Sequence, residues 1–348
     1  MVEGRPKLEE TDLPGLLQKF GIDAEGAKYK ELAAFEDLNL LVTTKDGARY
    51  VLKAHNALLP SGTPERLSAQ DNVIRQLRAK ALPVPEVVVG PSGLSALPLE
   101  APVAGQPIPY ARVLTYLDGE IVPNEKPKDA AFLQGVGSIV GRVASALEGF
   151  EDPASHWTWD WDMKKVPEVV RGKLRFIGDE PRRRLAARLA DDYERALGEA
   201  TTAALPHAVL HADLNDTNLL FRGSDIVGII DFGDSIYSCR AFEPAIAAGY
   251  YSLGQEDPMV VLEEILRGYL SSAPSPLSAQ EISAYFHAAR GRILLSVAFA
   301  AENCSLEPDN EYLAHTSEPG WAVLAKLEAI PVVEAIQRLD AVASASSR

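Results

Sequence analysis

The sequence predicts an α+β fold in two lobes, a small antiparallel β lobe followed by a larger, mainly helical one. Three observations carry this. Residues 29–32, 39–43 and 49–54 read as closely spaced strands near the amino end, whereas from residue 131 onward the apolar residues recur mostly with a 3.6-residue period. Two short apolar runs, 208–210 and 226–230, interrupt the helical part, and each delivers acidic or amide side chains at its carboxyl end. With 348 residues and 47% apolar content, the chain can build a substantial core in both lobes.

In chain order, 13–20 is a short helix with Leu13, Leu16, Leu17 and Phe20 on one face, closed by Gly21. Lys45-Asp46-Gly47 is the hairpin turn between the second and third strands, and Lys53 lies on the third. Residues 63–81, with Pro64 near the start, form a helix whose buried face is Leu67, Val73, Ile74 and Leu77. Pro83-Val84-Pro85 opens an extended segment, and the apolar strand 111–117 ends at Asp118-Gly119. We place the lobe boundary near Leu117, giving lobes of 1–117 and 118–348.

The second lobe begins with a helix over 131–148. Trp157, Trp159 and Trp161 alternate as in a strand, which predicts core packing for all three, with a substrate-facing role for Trp161 or Asp162 as the alternative. Residues 181–197 form a charged outer helix. Further helices cover 241–251, 259–270, 283–301 and 321–339, with a linker at 271–278 and a frayed tail in ASASSR.

The chemistry is concentrated in VLHADLNDTNLLFRGSDIVGIIDFGD, residues 209–234. Its spacing, His-x-Asp-x-x-x-x-Asn and then an apolar run ending in Asp-Phe-Gly, is that of a phosphoryl-transfer site. Such a site needs a carboxylate to meet the acceptor hydroxyl and hard oxygen donors to hold Mg²⁺ against the nucleotide phosphates. Asp213 is the candidate base, His211 supports the catalytic loop, and Asn218 and Asp231 are the candidate metal ligands. The alternative, a surface hairpin with merely solvated acids, does not explain the joint pattern. His207, after Pro206, is a loop or packing residue.

HADLNDTNLLF together with IIDFGD resembles the aminoglycoside phosphotransferase and choline kinase group, and the flanking IIDFGDSIYSCRAFEPAIAAGYY and NCSLEPDNEYLAHTSEPGWAVL resemble its hydroxylysine kinase branch. The resemblance implies a protein-kinase-like fold with the nucleotide in the cleft between lobes. It places Lys53 on the α and β phosphates and Gln70 as the partner of that lysine, with Asp71 and Glu65 nearby. The turn AAFEDLN lacks GxGxxG, so backbone amides and the side chains of Asp37 or Asn39 take over the phosphate cradle. The segment from Thr115 to Leu117 is the hinge that meets the base through its main chain.

The reaction implied is transfer of the γ-phosphoryl of ATP or GTP to a hydroxyl of an amine-bearing metabolite, an amino alcohol such as hydroxylysine. Aminoglycoside or other amino sugar, choline, ethanolamine, homoserine and thioribose acceptors stay open, as does a non-catalytic nucleotide-binding module. Asp234, Glu243, Glu302 and Glu311, with Trp161, are the candidates for holding the amine. A net charge of −15 suits a cationic substrate and argues against nucleic-acid or anionic-membrane partners. Cys239 and Cys304 form no disulfide framework or metal spacing and read as reduced thiols of a cytoplasmic protein. The first residues are charged throughout, unlike a signal peptide, and no apolar run is long enough to span a membrane.

Overall fold

The computed structural model describes residues 4–34, 36–100, 107–123, 126–306 and 317–346. The chain divides into two compact units. The first comprises Met1–Gly119, Asp152–Ser155 and Val227–Gly233; the second comprises Glu120–Glu151, His156–Ile226 and Asp234–Arg348.

The first unit is built on a five-stranded antiparallel sheet. Helix α1 (Leu13–Gln18) precedes strands β1 (Lys28–Leu32), β2 (Leu38–Thr43) and β3 (Arg49–Ala54); then come helix α2 (Pro64–Ala79) and strands β4 (Ala96–Pro98) and β5 (Tyr110–Thr115). The sheet order is β1-β2-β3-β5-β4. Alternation in β2 buries Leu38, Leu40 and Val42, which join Leu52, Val113 and the α1 residues Leu13, Leu16 and Leu17 in one core. α2 buries Leu67, Val73, Ile74 and Leu77 completely. β4 is too short to show a period, so its apolar Leu97 gave no strand signal.

The second unit contains α3 (Ala130–Ala146), α4 (Val166–Lys173), α5 (Glu180–Leu197), α6 (Glu199–Ala204), β6 (His207–Leu210) and β7 (Leu219–Arg222). Strand β8 (Asp225–Ile229) carries the chain back into the first unit, where the Ile229 amide donates to the Pro83 carbonyl at 2.7 Å. After it come β9 (Ile236–Cys239), α7 (Phe242–Tyr251), α8 (Pro258–Leu270), α9 (Ala279–Leu306), α10 (Ser317–Glu328) and α11 (Val332–Ser346). β6 pairs with β9 antiparallel, Leu210 opposite Ile236. α9 is apolar nearly all round because α7, α10, α4 and α5 all pack against it.

Several expectations need correction. The tryptophan segment is a series of bends and short 3-10 turns rather than a strand, and none of the three rings is fully buried. Trp157 stacks on Trp159 at 5.4 Å, while Trp161 stacks on Phe299 at 4.3 Å. The single helix expected over 321–339 is two, because Pro331 has no amide proton to donate and keeps Ile330 out of the helical region. Of the tail expected to fray, α11 takes in the part up to Ser346, and residues 347–348 lie outside the described residues. Among the described residues no helix is long and apolar enough to cross a membrane. Cys239 is buried and Cys304 half-buried, and both are free.

Candidate active site

In the second unit, β6 ends at Leu210 and the chain turns through His211-Ala212-Asp213. Ala212 takes φ +65°, a conformation that costs a side-chain-bearing residue free energy unless its surroundings impose it. Glu243, from the first turn of α7, imposes it: its two carboxylate oxygens accept the amides of His211 at 2.6 Å and Ala212 at 3.1 Å. Burial pushes the Glu243 carboxyl up to about 7 against the pull of those two bonds. His211 is completely buried, and its Nδ1 accepts the Asp213 amide at 3.2 Å, so the imidazole braces the loop.

Asp213 is held by three donors. Oδ1 accepts from Asn215 Nδ2 at 3.0 Å and from Arg292 Nη2 at 2.6 Å; Oδ2 accepts from Asn218 Nδ2 at 2.7 Å. The Asn218 amide nitrogen also donates to the Asp213 carbonyl, which commits the nitrogen to the loop and leaves Oδ1 as the atom suited to ligation. Asn215 closes the turn by accepting the amides of Thr217 and Asn218.

Beside this loop lies a narrow pocket whose lining includes Trp159, Trp161, Ala212, Asp234 and Ser238. Ser238 Oγ is buried and has no hydrogen-bond partner among the described residues. Asp162, also in the lining, is committed to the Thr158 hydroxyl and the Lys164 amide.

The first unit carries the other polar cluster. Lys53 Nζ lies 3.2 Å from Asp231 Oδ1, and Asp231 takes φ +62° at the end of the β8 run. Asn39 faces Lys53 across the β2–β3 pair, and its Oδ1 is buried without a partner. The turn between β1 and β2 is pinned by Asp37, whose Oδ2 lies 2.8 Å from His55 Nδ1 and whose Oδ1 accepts the Asn56 amide. His55 and Lys53 hold the Asp37 carboxyl far below the usual range, despite its burial. Burial, then Asp37 and Asp231, push the neighbouring Glu36 carboxyl up to about 7.

A lysine paired with an acidic residue near a strand end in the first unit, and a strained loop presenting a carboxylate and an amide in the second, are each groups of the kind phosphoryl transfer uses. Residues 28–282 match the phosphotransferase enzyme family, APH. The chain belongs to that family. Mouse hydroxylysine kinase is 31% identical over 93% of this chain and 90% of its own length. Among solved structures, a microcompartment-associated aminopropanol kinase superposes with a TM-score of 0.71 at 18% identity over 92% of this chain and 98% of its own. An amicoumacin kinase in complex with AMP-PNP, Ca²⁺ and Ami superposes with a TM-score of 0.69 at 16% identity over 94% and 95%. The fold is protein-kinase-like and the protein is a phosphotransferase enzyme.

Within this phosphotransferase several sequence expectations are revised. Gln70 does not meet Lys53: its Oε1 accepts from the buried Arg112, its Nε2 donates to the Ser61 carbonyl, and Lys53 pairs with Asp231 instead. Asp71 is likewise taken by Arg112, at 3.1 Å. In the segment read as the hinge, the Thr115 amide donates to the Glu86 carbonyl and the Tyr116 amide to the Arg49 carbonyl, so neither N–H is free to meet a base. Glu243 is 1% exposed and spent on the loop, so it is not an amine ligand. Glu302 pairs with Lys173. Glu311 lies outside the described residues. Asp234 and Trp161 line the cavity.

Sequence reasoning missed Arg292, Ser238, His55 and Glu36. For Arg292 a signal exists: AARGRILLSVAFA places two arginines in an otherwise apolar helix, and a guanidinium is buried only with a partner.

Proposed function

We propose that this phosphotransferase is a small-molecule kinase that moves the γ-phosphoryl of ATP or GTP onto a hydroxyl of a small amine-bearing metabolite, an amino alcohol of the hydroxylysine kind. The observation that carries the reading is Asp213, a carboxylate fixed by three donors on a strained loop beside a cavity with an acid and two indoles in its wall.

In this reading the chemistry is mainly positioning and charge compensation. Asp213 accepts the hydrogen bond of the acceptor hydroxyl and aims its oxygen at the γ-phosphorus. As the new O–P bond forms and the bond to the β-phosphate oxygen breaks, the hydroxyl proton passes to Asp213 and the nucleoside diphosphate leaves. Lys53 offsets phosphate charge, and Asn39 supplies a buried acceptor beside it. The carboxylate of Asp231 and the amide oxygen of Asn218 are the hard donors that Mg²⁺ takes, so these residues would hold the ion, which when bound neutralises phosphate charge.

Asp234, with the Trp159 ring, suits an ammonium by charge and cation–π attraction, and the buried Ser238 hydroxyl offers it an acceptor.

The test is nucleotide consumption with Mg²⁺ and either ATP or GTP against hydroxylysine, ethanolamine, choline, homoserine and one aminoglycoside, with an Nε-acetylated hydroxylysine as control. Turnover on a small amino alcohol that falls when the amine is acetylated supports the reading. Turnover on the aminoglycoside alone, or none above the Asp213→Ala protein, overturns it.

A further inference from the structure

The site leaves Arg292 with no chemical step of its own, although it is 2% exposed in the middle of α9. Its Nη2 donates to Asp213 Oδ1 at 2.6 Å and its Nη1 to the Trp161 carbonyl at 3.3 Å. The guanidinium carbon stands 4.6 Å from the centre of the Trp161 ring and 5.4 Å from that of Tyr250. Trp161 stacks in turn on Phe299 at 4.3 Å and 16°, and Lys173 Nζ lies 4.2 Å from the Phe299 centre. One cation therefore touches the carboxylate of the catalytic loop and an indole of the cavity wall.

We propose that Arg292 is a positioning residue that ties the acceptor wall at Trp161 to Asp213, so that an acceptor seated against Trp161 meets a carboxylate already aimed. The inference rests on the kinase reading above and names the device that makes an occupied acceptor pocket productive. Neutralising Asp213 alone does not require this placement, since any cation would do that. Contact with the ring, its backbone carbonyl and the carboxylate together needs the flat, five-donor guanidinium, which a lysine ammonium does not reproduce. The arrangement is kept although Arg292 Nε is buried with no partner, an uncompensated polar group of the kind that usually destabilises a fold.

The test uses the full chain with Mg²⁺, nucleotide and its best acceptor, comparing Arg292→Gln, Arg292→Lys, Trp161→Phe and Trp161→Ala by steady-state kinetics and thermal melting. A misplaced catalytic group costs roughly 100-fold in rate, so Arg292→Gln is expected to lower kcat by about that factor while nucleotide KM stays within about twofold. Arg292→Lys recovers only part of kcat. Trp161→Ala raises acceptor KM and lowers kcat, and Trp161→Phe, which keeps an aromatic face for the guanidinium, recovers part of both.

Parental kcat in Arg292→Gln overturns the inference, as does a parallel loss of nucleotide KM and kcat. If Arg292→Gln does not fold, Arg292→Lys decides: parental kcat there overturns the tie, and a reduced kcat with unchanged nucleotide KM supports it. No turnover by the unaltered protein on any acceptor overturns the kinase reading and the inference with it. Turnover by the unaltered protein that is indifferent to Arg292 overturns the inference alone.

Discussion

Glu243 shows how one residue sets the shape of the loop that carries Asp213. Its carboxylate satisfies two amides at a strained position, yet burial makes it costly to ionise. The folded carboxyl binds its proton more tightly than the unfolded one, whose ordinary value is 4.5, so its contribution to stability is complete below about 4.5 and lost as pH rises through about 7. Chemical denaturation at several pH values should show the parent losing on the order of 1–3 kcal/mol across that window. Glu243→Gln, less stable at low pH because its NH₂ faces an amide donor, should lack that slope. Equal slopes in the two proteins would contradict this account of Glu243.

The same residue marks what the sequence could not tell. His211, Asp213, Asn218 and Asp231 stand out because their chemistry and spacing are local, within 25 residues of chain. The partners of these groups come from afar. Glu243 reads as an ordinary acid at a helix start, and Gln70 reads as the natural partner of Lys53 until Arg112, on β5, claims it.

At the scale of elements, periodicity located β2, whose alternate residues are buried, and amphipathic helices such as α3 and α8. What it cannot show is how closely two helices approach. A Cβ built on Gly137 of α3 would lie 2.1 Å from the Ile265 carbonyl of α8, and one on Gly268 of α8 would lie 2.1 Å from the Gln134 carbonyl of α3. Both neighbours are backbone, so neither side chain motion nor a rotamer change relieves the overlap. Gly268→Ala should therefore destabilise the fold by about 2–4 kcal/mol, although alanine is the better helix former, and a urea melt measures it. A neutral or stabilising result would mean that the two helices do not pack so closely. The tryptophan segment failed for a related reason: alternation of rings predicts a strand only where a partner strand exists, and here the backbone bonds go to local turns.

For the whole molecule, the net charge of −15 is a field rather than a contact, and it favours a cationic acceptor over an anionic one. The acceptor KM should rise severalfold between about 0.05 and 0.5 M salt with kcat little changed, because the screening length shrinks from roughly 14 to 4 Å over that range. A salt-independent KM would remove charge from the account of acceptor choice. In the kinase reading, Lys53→Met should raise nucleotide KM about tenfold or more while Asp213→Ala spares nucleotide binding. Steady-state kinetics and nucleotide titration separate the two.

The most direct measurement is ³¹P NMR of a reaction containing Mg²⁺, ATP or GTP and hydroxylysine, run with the parent protein and with Asp213→Ala. The account predicts a new phosphate monoester resonance, growing in step with nucleoside diphosphate in the parent and absent from the variant, which still binds nucleotide. An ester formed equally by the variant would contradict the role given to Asp213, and inorganic phosphate alone from the parent would contradict the amino alcohol as acceptor.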